Sequence, residues 1–98
     1  MQFSVRIINQ QNNSMLNICD PDLLGKKIVN GDLTITISKN YYCERIVEES
    51  EAKNLLQNNT SINMVGENTI SFSIRLGIGS KDAVKRINNI PFLIVFKM

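Results

Sequence analysis

There is no histidine among the 98 residues of this chain. That absence removes Ser–His and Cys–His nucleophilic pairs, because each needs an imidazole base beside the nucleophile. It also leaves a zinc site only cysteines and carboxylates to draw on, an uncommon ligand set. The two cysteines, Cys19 and Cys43, match neither a metal spacing nor a CxxC motif. They read as reduced, partly buried thiols, since a disulfide between them needs an oxidising compartment. No catalytic residue, metal or cofactor is therefore expected. The longest unbroken apolar run, Phe92 to Phe96, is far too short to span a bilayer. The first residues start directly into a strand-like pattern, with no charged segment leading an apolar one. A cytoplasmic protein with no membrane partner is expected. Asn12, Asn58 and Asn59 open Asn-x-Ser/Thr triplets, which without a secretion signal are chance products of an asparagine-rich chain.

Charge of either sign is also scarce. The net charge of +2 is too small to argue for a nucleic-acid partner by itself. Its distribution says more. From Arg75 onward the chain carries Arg75, Lys81, Lys85, Arg86 and Lys97 against Asp82 alone. Between Glu44 and Glu51 stand four glutamates against Arg45 alone. Solvated charge clusters are common, so either segment is also simply a wet surface.

What is present is a globular balance, 43% apolar and 20% charged, in a chain long enough for one domain, residues 1–98. Phe3, Val5 and Ile7 alternate with polar residues and predict a half-buried strand. The polar turn Gln10 to Asn13 and the apolar Met15, Leu16, Ile18 and Cys19 complete a hairpin. Asp20-Pro21-Asp22 predicts one helical turn, capped by Asp20 and ended by Gly25. Asn30-Gly31-Asp32 is a turn signal, followed by a strand with Leu33, Ile35 and Ile37 on one side. Ala52, Leu55 and Leu56 share one face of a short helix over 50–57, with Glu48, Glu49 and Glu51 at its start. Asn88-Asn89 tolerates the positive φ of a two-residue turn, which predicts a closing hairpin. The non-alternating run Phe92–Phe96 predicts a strand covered on both faces. Gly66 to Leu76 is ambiguous. Its alternation favours a strand, while Gly77 and the spacing of Ile70 with Ile74 favour a helix.

Short motifs with chemical potential are few. Asp20 and Asp22 would suit a cation in the right loop, but they are more simply a cap and a solvated charge. Asn30-Gly31-Asp32 lacks the further ligands of a calcium loop. Gly77-x-Gly79-Ser80-Lys81 faintly resembles a phosphate-binding glycine loop, without its spacing or its preceding strand. The basic residues Arg75, Lys81, Lys85, Arg86 and Lys97 would form a phosphate-contacting rim if the C-terminal hairpin gathers them. Aromatics are thin at 6%, and Tyr41 and Tyr42 are those expected to be partly exposed.

Cys19-Asp20-x-x-Leu23-Leu24-Gly25-Lys26, then Asn63-x-Val65-Gly66-Glu67, then Ile90-Pro91, resemble the family of small archaeal proteins catalogued as domain of unknown function 424. The resemblance covers nearly the whole chain. It implies a helix over Gly66–Leu76, against the local alternation, and it supports a tight turn at Asn88-Asn89. Two positions depart from the family pattern. Phe92 stands where relatives often have histidine, and Cys43-Glu44 replaces a common glycine pair. The family-like Asp20, Gly25, Lys26, Asn63, Gly66 and Glu67 either form a shared surface or serve as caps and turn formers.

The resulting expectation is an α+β domain, a small mixed and mainly antiparallel sheet with two short helices and a C-terminal hairpin. The expected function is a non-enzymatic binding module of archaeal translation, with the ribosome or ribosomal RNA as partner. One alternative is a small-ligand binder or enzyme using a cleft near Asp20, Lys26 and Glu67. Another is a protein-interaction subunit whose acidic Glu44–Glu51 segment meets a basic partner.

Overall fold

A computed structural model describes residues 1–97. Strands β1 (Gln2–Gln10) and β2 (Asn13–Cys19) form the first hairpin. Its turn residues Gln11 and Asn12 both have positive φ, 47° and 72°, as a two-residue turn of type I′ requires. A single 3-10 turn, Pro21–Leu23, leads into a small second hairpin, β3 (Lys27–Asn30) and β4 (Leu33–Thr36). Helix α1 (Lys39–Tyr42) is one turn long, and the sequence pattern does not announce it. It is capped by Ser38, whose Oγ accepts from the Tyr41 N–H at 3.1 Å. Then come β5 (Arg45–Glu48), α2 (Glu49–Asn58), β6 (Ser61–Val65) and α3 (Glu67–Arg75). The chain closes with a 3-10 turn, Lys81–Ala83, and the hairpin β7 (Lys85–Ile87) and β8 (Ile90–Phe96). Asn88 and Asn89 make its turn with φ of 50° and 68°.

Six strands form one sheet in the order β5-β1-β2-β6-β8-β7, and β3 pairs with β4 in a separate two-stranded sheet. Every pairing is antiparallel except β2 with β6. The expected mixed, mainly antiparallel α+β architecture and the C-terminal hairpin are therefore what the chain adopts. Helices α2 and α3 cover one face of the sheet. Ala52 and Leu56 of α2 and Ile70 and Phe72 of α3 pack there on Phe3, Val5, Leu16, Ile18, Ile62, Met64 and Leu93. The Phe3 and Phe72 rings stack with centroids 5.1 Å apart. A second apolar cluster lies on the other face. There Ile28 and Ile37, from the β3–β4 region, cover Cys19, Val65 and part of Phe92.

Two expectations need correction. The Phe92–Phe96 segment is not covered on both faces. On the face away from the helices the β3–β4 region reaches only its Phe92 end, and Ile94 and Phe96 stand 56% and 68% exposed. Asp20 does not cap its own turn with its side chain. Instead its carboxylate reaches the start of α3. Oδ2 accepts from the Asn68 N–H at 3.1 Å, while Oδ1 accepts from the Thr69 N–H at 2.8 Å and the Thr69 hydroxyl at 2.7 Å. This long-range cap satisfies N–H groups that a helix leaves open at its first turn and places negative charge at the positive end of its dipole. It also decides Gly66–Leu76 in favour of the helix, as the family resemblance implies and the alternation does not.

Gly66 makes the cap possible. It adopts φ of +110°, and a Cβ there would stand 2.6 Å and 2.8 Å from the Asp20 carboxylate oxygens. Asp20→Ala is expected to lower stability by about 2 kcal/mol, since it removes a helix cap and leaves the buried Thr69 hydroxyl unpaired. Urea unfolding followed by far-ultraviolet circular dichroism measures this, and a loss below about 0.5 kcal/mol would contradict the assignment.

Candidate nucleic-acid interface

The sheet face away from α2 and α3 is where the surface is open. Register places its residues in rows across the strands. One row runs Arg6–Asn17–Asn63–Ile94 and the next runs Ile8–Met15–Ser61–Phe96. A further row runs Ser4–Cys19–Val65–Phe92–Lys85, most of it beneath the β3–β4 region.

Helix α1 lies over part of this face and is pinned by polar side chains. The Ser4 hydroxyl donates to the Tyr42 carbonyl at 2.7 Å, and Asn17 Nδ2 donates to the Tyr41 carbonyl at 3.0 Å. Asn63 Nδ2 donates to the Tyr42 hydroxyl at 3.2 Å. Ser4 and Asn17 are fully buried, so these bonds offset the desolvation that burying a polar group costs. Arg6 Nε and Asn17 Oδ1, cross-strand neighbours, are buried with no partner among the described residues. The sequence leads one to expect both tyrosines partly exposed, and here they divide. Tyr42 is buried with the second apolar cluster, and burial pushes its phenol pKa up. Tyr41 is 43% exposed and packs edge-on against Tyr42 at 5.1 Å. It shares a cavity of about 210 Å³ with Ile8, Asn13, Ser14, Met15 and Ser61.

Ser61 lines that cavity and is the cross-strand partner of Phe96. Ser61 is thus shared by two exposed aromatic residues, Tyr41 of α1, which lines the cavity with it, and Phe96 of β8, which lies across the strand from it. That arrangement can take a flat heteroaromatic group, with the Asn13 amide in the cavity lining for hydrogen bonding. Phe96 has no signal in the sequence, because it sits at the end of a uniform apolar run. Asn17 is equally silent there.

The basic residues do not gather into one rim. Arg75 lies at the end of α3 with its guanidinium 5.5 Å from the centre of the Phe72 ring. Lys97 turns to the end of α2, donating to the Leu56 carbonyl at 2.5 Å and the Gln57 carbonyl at 3.2 Å. There it satisfies carbonyls that the helix leaves open and complements its dipole. Arg86 pairs with Glu67 at 2.6 Å on the helix side of the sheet. Its neighbour Lys85 aligns with Phe92 and faces the open side, and Lys81 sits on the turn before β7. The acidic segment is split between β5 and the first turn of α2, where Arg45 and Glu51 form an ion pair.

The family-like residues fall mainly into structural roles. Asp20 and Gly66 form the cap of α3. Gly25 takes φ of +86° where the chain turns into β3. Asn63 holds Tyr42. Lys26 is exposed, and its hydrogen bonds are those of its backbone, N–H to the Leu23 carbonyl and carbonyl to the Ile37 N–H. The cavity beside Glu67 is lined by neither Asp20 nor Lys26, so the cleft expected from those three side chains is not assembled. The glycine-rich Gly77–Lys81 segment follows a helix rather than a strand, and Gly79 packs closely on Ser73 and Leu93. Among the described residues no three potential ligands from cysteine, aspartate and glutamate gather into a metal cluster, and no helix is long and apolar enough to cross a membrane.

The profile of the family described as Protein of unknown function (DUF424) matches residues 8–98. The chain belongs to this family. The match takes in all three motifs on which the resemblance stands. A solved structure, an uncharacterised conserved protein from Methanopyrus kandleri, is similar over 100% of this chain and 95% of its own, with a TM-score of 0.82 and 22% identity. At that identity the likeness is one of fold. No curated protein matches the chain.

The cysteines are free, Cys19 buried and Cys43 half-buried. Burial, and then the adjacent Asp20 carboxylate, push the Cys19 thiol up to about 12 from 9.0. A thiol that binds its proton more tightly when folded contributes fully below pH 9.0, and stability should erode from there toward about 12. In native protein at pH 8, iodoacetamide is expected to label Cys43 ahead of Cys19, with Cys19 reacting once urea unfolds the chain. Peptide mass spectrometry reads the order, and equal native labelling would contradict it.

Proposed function

We propose that this protein is a non-enzymatic RNA-binding module, its open sheet face taking a short single-stranded segment of ribosomal or ribosome-associated RNA. The observation that carries the reading is the pair of exposed aromatic residues beside Ser61, Tyr41 sharing its cavity and Phe96 its cross-strand partner. Every nucleobase offers a π-face, so exposed rings on a sheet bind single strands with little demand on sequence. Charge agrees with that occupant. Arg6 lies in the row above, Lys85 faces the same side from β7, and Lys39 opens α1 two residues before Tyr41. Such cations suit phosphates, which position an RNA without reading its bases.

Fluorescence anisotropy with labelled single-stranded oligoribonucleotides tests the proposal. Phe96→Ala and Tyr41→Ala should each weaken binding by about 1–3 kcal/mol, the usual value of a base–aromatic stack. Lys85→Ala should lower the slope of log K against log[salt] by about 0.7, whereas Arg86→Ala, facing the other side and paired with Glu67, should leave it unchanged. Wild-type binding unaffected by both aromatic substitutions would remove the open face from the account. For the ribosomal partner, a native lysate run through a sucrose gradient at low salt should carry the protein with a ribosomal subunit. Its presence in the top fractions alone would count against that partner.

A further inference from the structure

We propose that the cleft between α3 and β7, on the opposite side of the sheet from the RNA surface, binds a small organic anion with an apolar body. One wall is a single stripe of α3. Glu67, Ile70, Ser71 and Ile74 recur at i, i+3, i+4 and i+7, so all four face the same way. The other wall is Lys81, Val84, Arg86 and Pro91. Between them lies about 370 Å³, within the range of small-ligand pockets.

The lining separates by chemistry. Ile70, Ile74, Val84 and Pro91 are buried or half-buried and make an apolar floor. Glu67, Ser71, Lys81 and Arg86 are exposed and make a polar mouth. Two cations face one carboxylate there. Glu67 is already neutralised by Arg86, and Lys81 is in no ion pair among the described residues. The Arg86 guanidinium is held in place from one side. Its Nη1 meets Glu67 Oε1 at 2.6 Å and donates to the Asn89 carbonyl at 3.2 Å. Its remaining N–H groups have no protein partner among the described residues, and a planar, preoriented fork of that kind fits a carboxylate or a phosphate. The net charge at the mouth selects a monoanion over a cation. The floor selects an organic anion over an inorganic one, because an apolar body gains from burial where bare phosphate does not. This site is independent of Tyr41 and Phe96.

Titration of the ¹⁵N-labelled protein, followed by two-dimensional NMR, tests the proposal with four probes: hexanoate, hexan-1-ol, hexylammonium and inorganic phosphate. Hexanoate should give saturable shifts at the amides of Ile70, Ser71, Ile74, Val84 and Arg86. Hexan-1-ol and phosphate should each bind about tenfold more weakly, as expected when either the charge-assisted hydrogen bonds or the apolar burial is lost. Hexylammonium should not shift these amides. Lys81→Ala, an exposed position on a turn, should weaken hexanoate about fivefold to tenfold while the rest of the spectrum stays in place. Tyr41→Ala should leave hexanoate binding unchanged whatever it does to RNA. Equal binding of hexanoate and hexan-1-ol, equal binding of hexanoate and phosphate, shifts confined to the open sheet face, or no saturable shift with hexanoate would each overturn the assignment.

Discussion

The Asp20 carboxylate at the start of α3 is the contact on which the arrangement of this molecule depends. Asp20 directly follows β2, and Gly66 directly follows β6. Their backbones continue the pairing one step further. The Asp20 N–H donates to the Val65 carbonyl at 3.1 Å, and the Gly66 N–H donates to the Pro91 carbonyl at 3.0 Å. The ends of β2 and β6 and the start of β8 therefore meet at one place, and a single carboxylate there accepts from the first turn of the helix that leaves it. The carboxylate fits because position 66 has no side chain. Helix α3 leaves this joint along one face of the sheet, bringing Phe72 onto Phe3 and setting the wall of the cleft beside β7. Residues distant in sequence and alike only in belonging to short motifs thus act as one mechanical unit.

The two faces of the sheet are governed by different interactions. On the helix side, aliphatic and aromatic packing is continuous and the residues can be exchanged within volume limits. On the other side, Ser4, Asn17 and Asn63 hold α1 through directional hydrogen bonds. Directional bonds to carbonyls fix where Tyr41 stands, because its own backbone is one of the acceptors. Buried polar residues of this kind are costly when unpaired, so they specify one placement of the short helix where apolar contacts would permit several.

The sequence makes the hairpins legible because their turns are encoded locally. Asn88-Asn89 tolerates positive φ, the polar run Gln10 to Asn13 marks the first turn, and alternating apolar residues fill β1 before it. Helix α2 is legible from Ala52, Leu55 and Leu56 for the same reason. Helix α3 is not legible from its own residues. Ile70, Phe72 and Ile74 alternate like a strand, yet Ser73, which alternation would put on the polar side, is fully buried and donates to the Ile70 carbonyl at 2.8 Å. The helix begins on a cap from Asp20, far away in the chain; locally only Gly77 and the spacing of Ile70 with Ile74 favour it against the alternation, and the family resemblance tips the balance. The basic residues failed as a rim because nearness in sequence does not set facing. Lys85 and Arg86 are adjacent and lie on opposite sides of β7, while Lys97 is occupied by the end of α2. Phe96 was hidden by the opposite error. A uniform apolar run says that a strand forms, and says nothing about how far its cover extends.

The parallel pairing of β2 with β6 has a kinetic side. Each hairpin in this chain joins neighbours in sequence and closes a very short loop. The β2–β6 seam pairs Met15 with Ser61 and Cys19 with Val65, so it forms only after everything between has been drawn into a closed loop. The entropic cost of such closure grows slowly with length but falls before any of the seam's contacts form. Long-range pairings of this type raise contact order and slow folding. The centre of the sheet is therefore also one of its long-range seams, joining β5-β1-β2 on one side to β6-β8-β7 on the other.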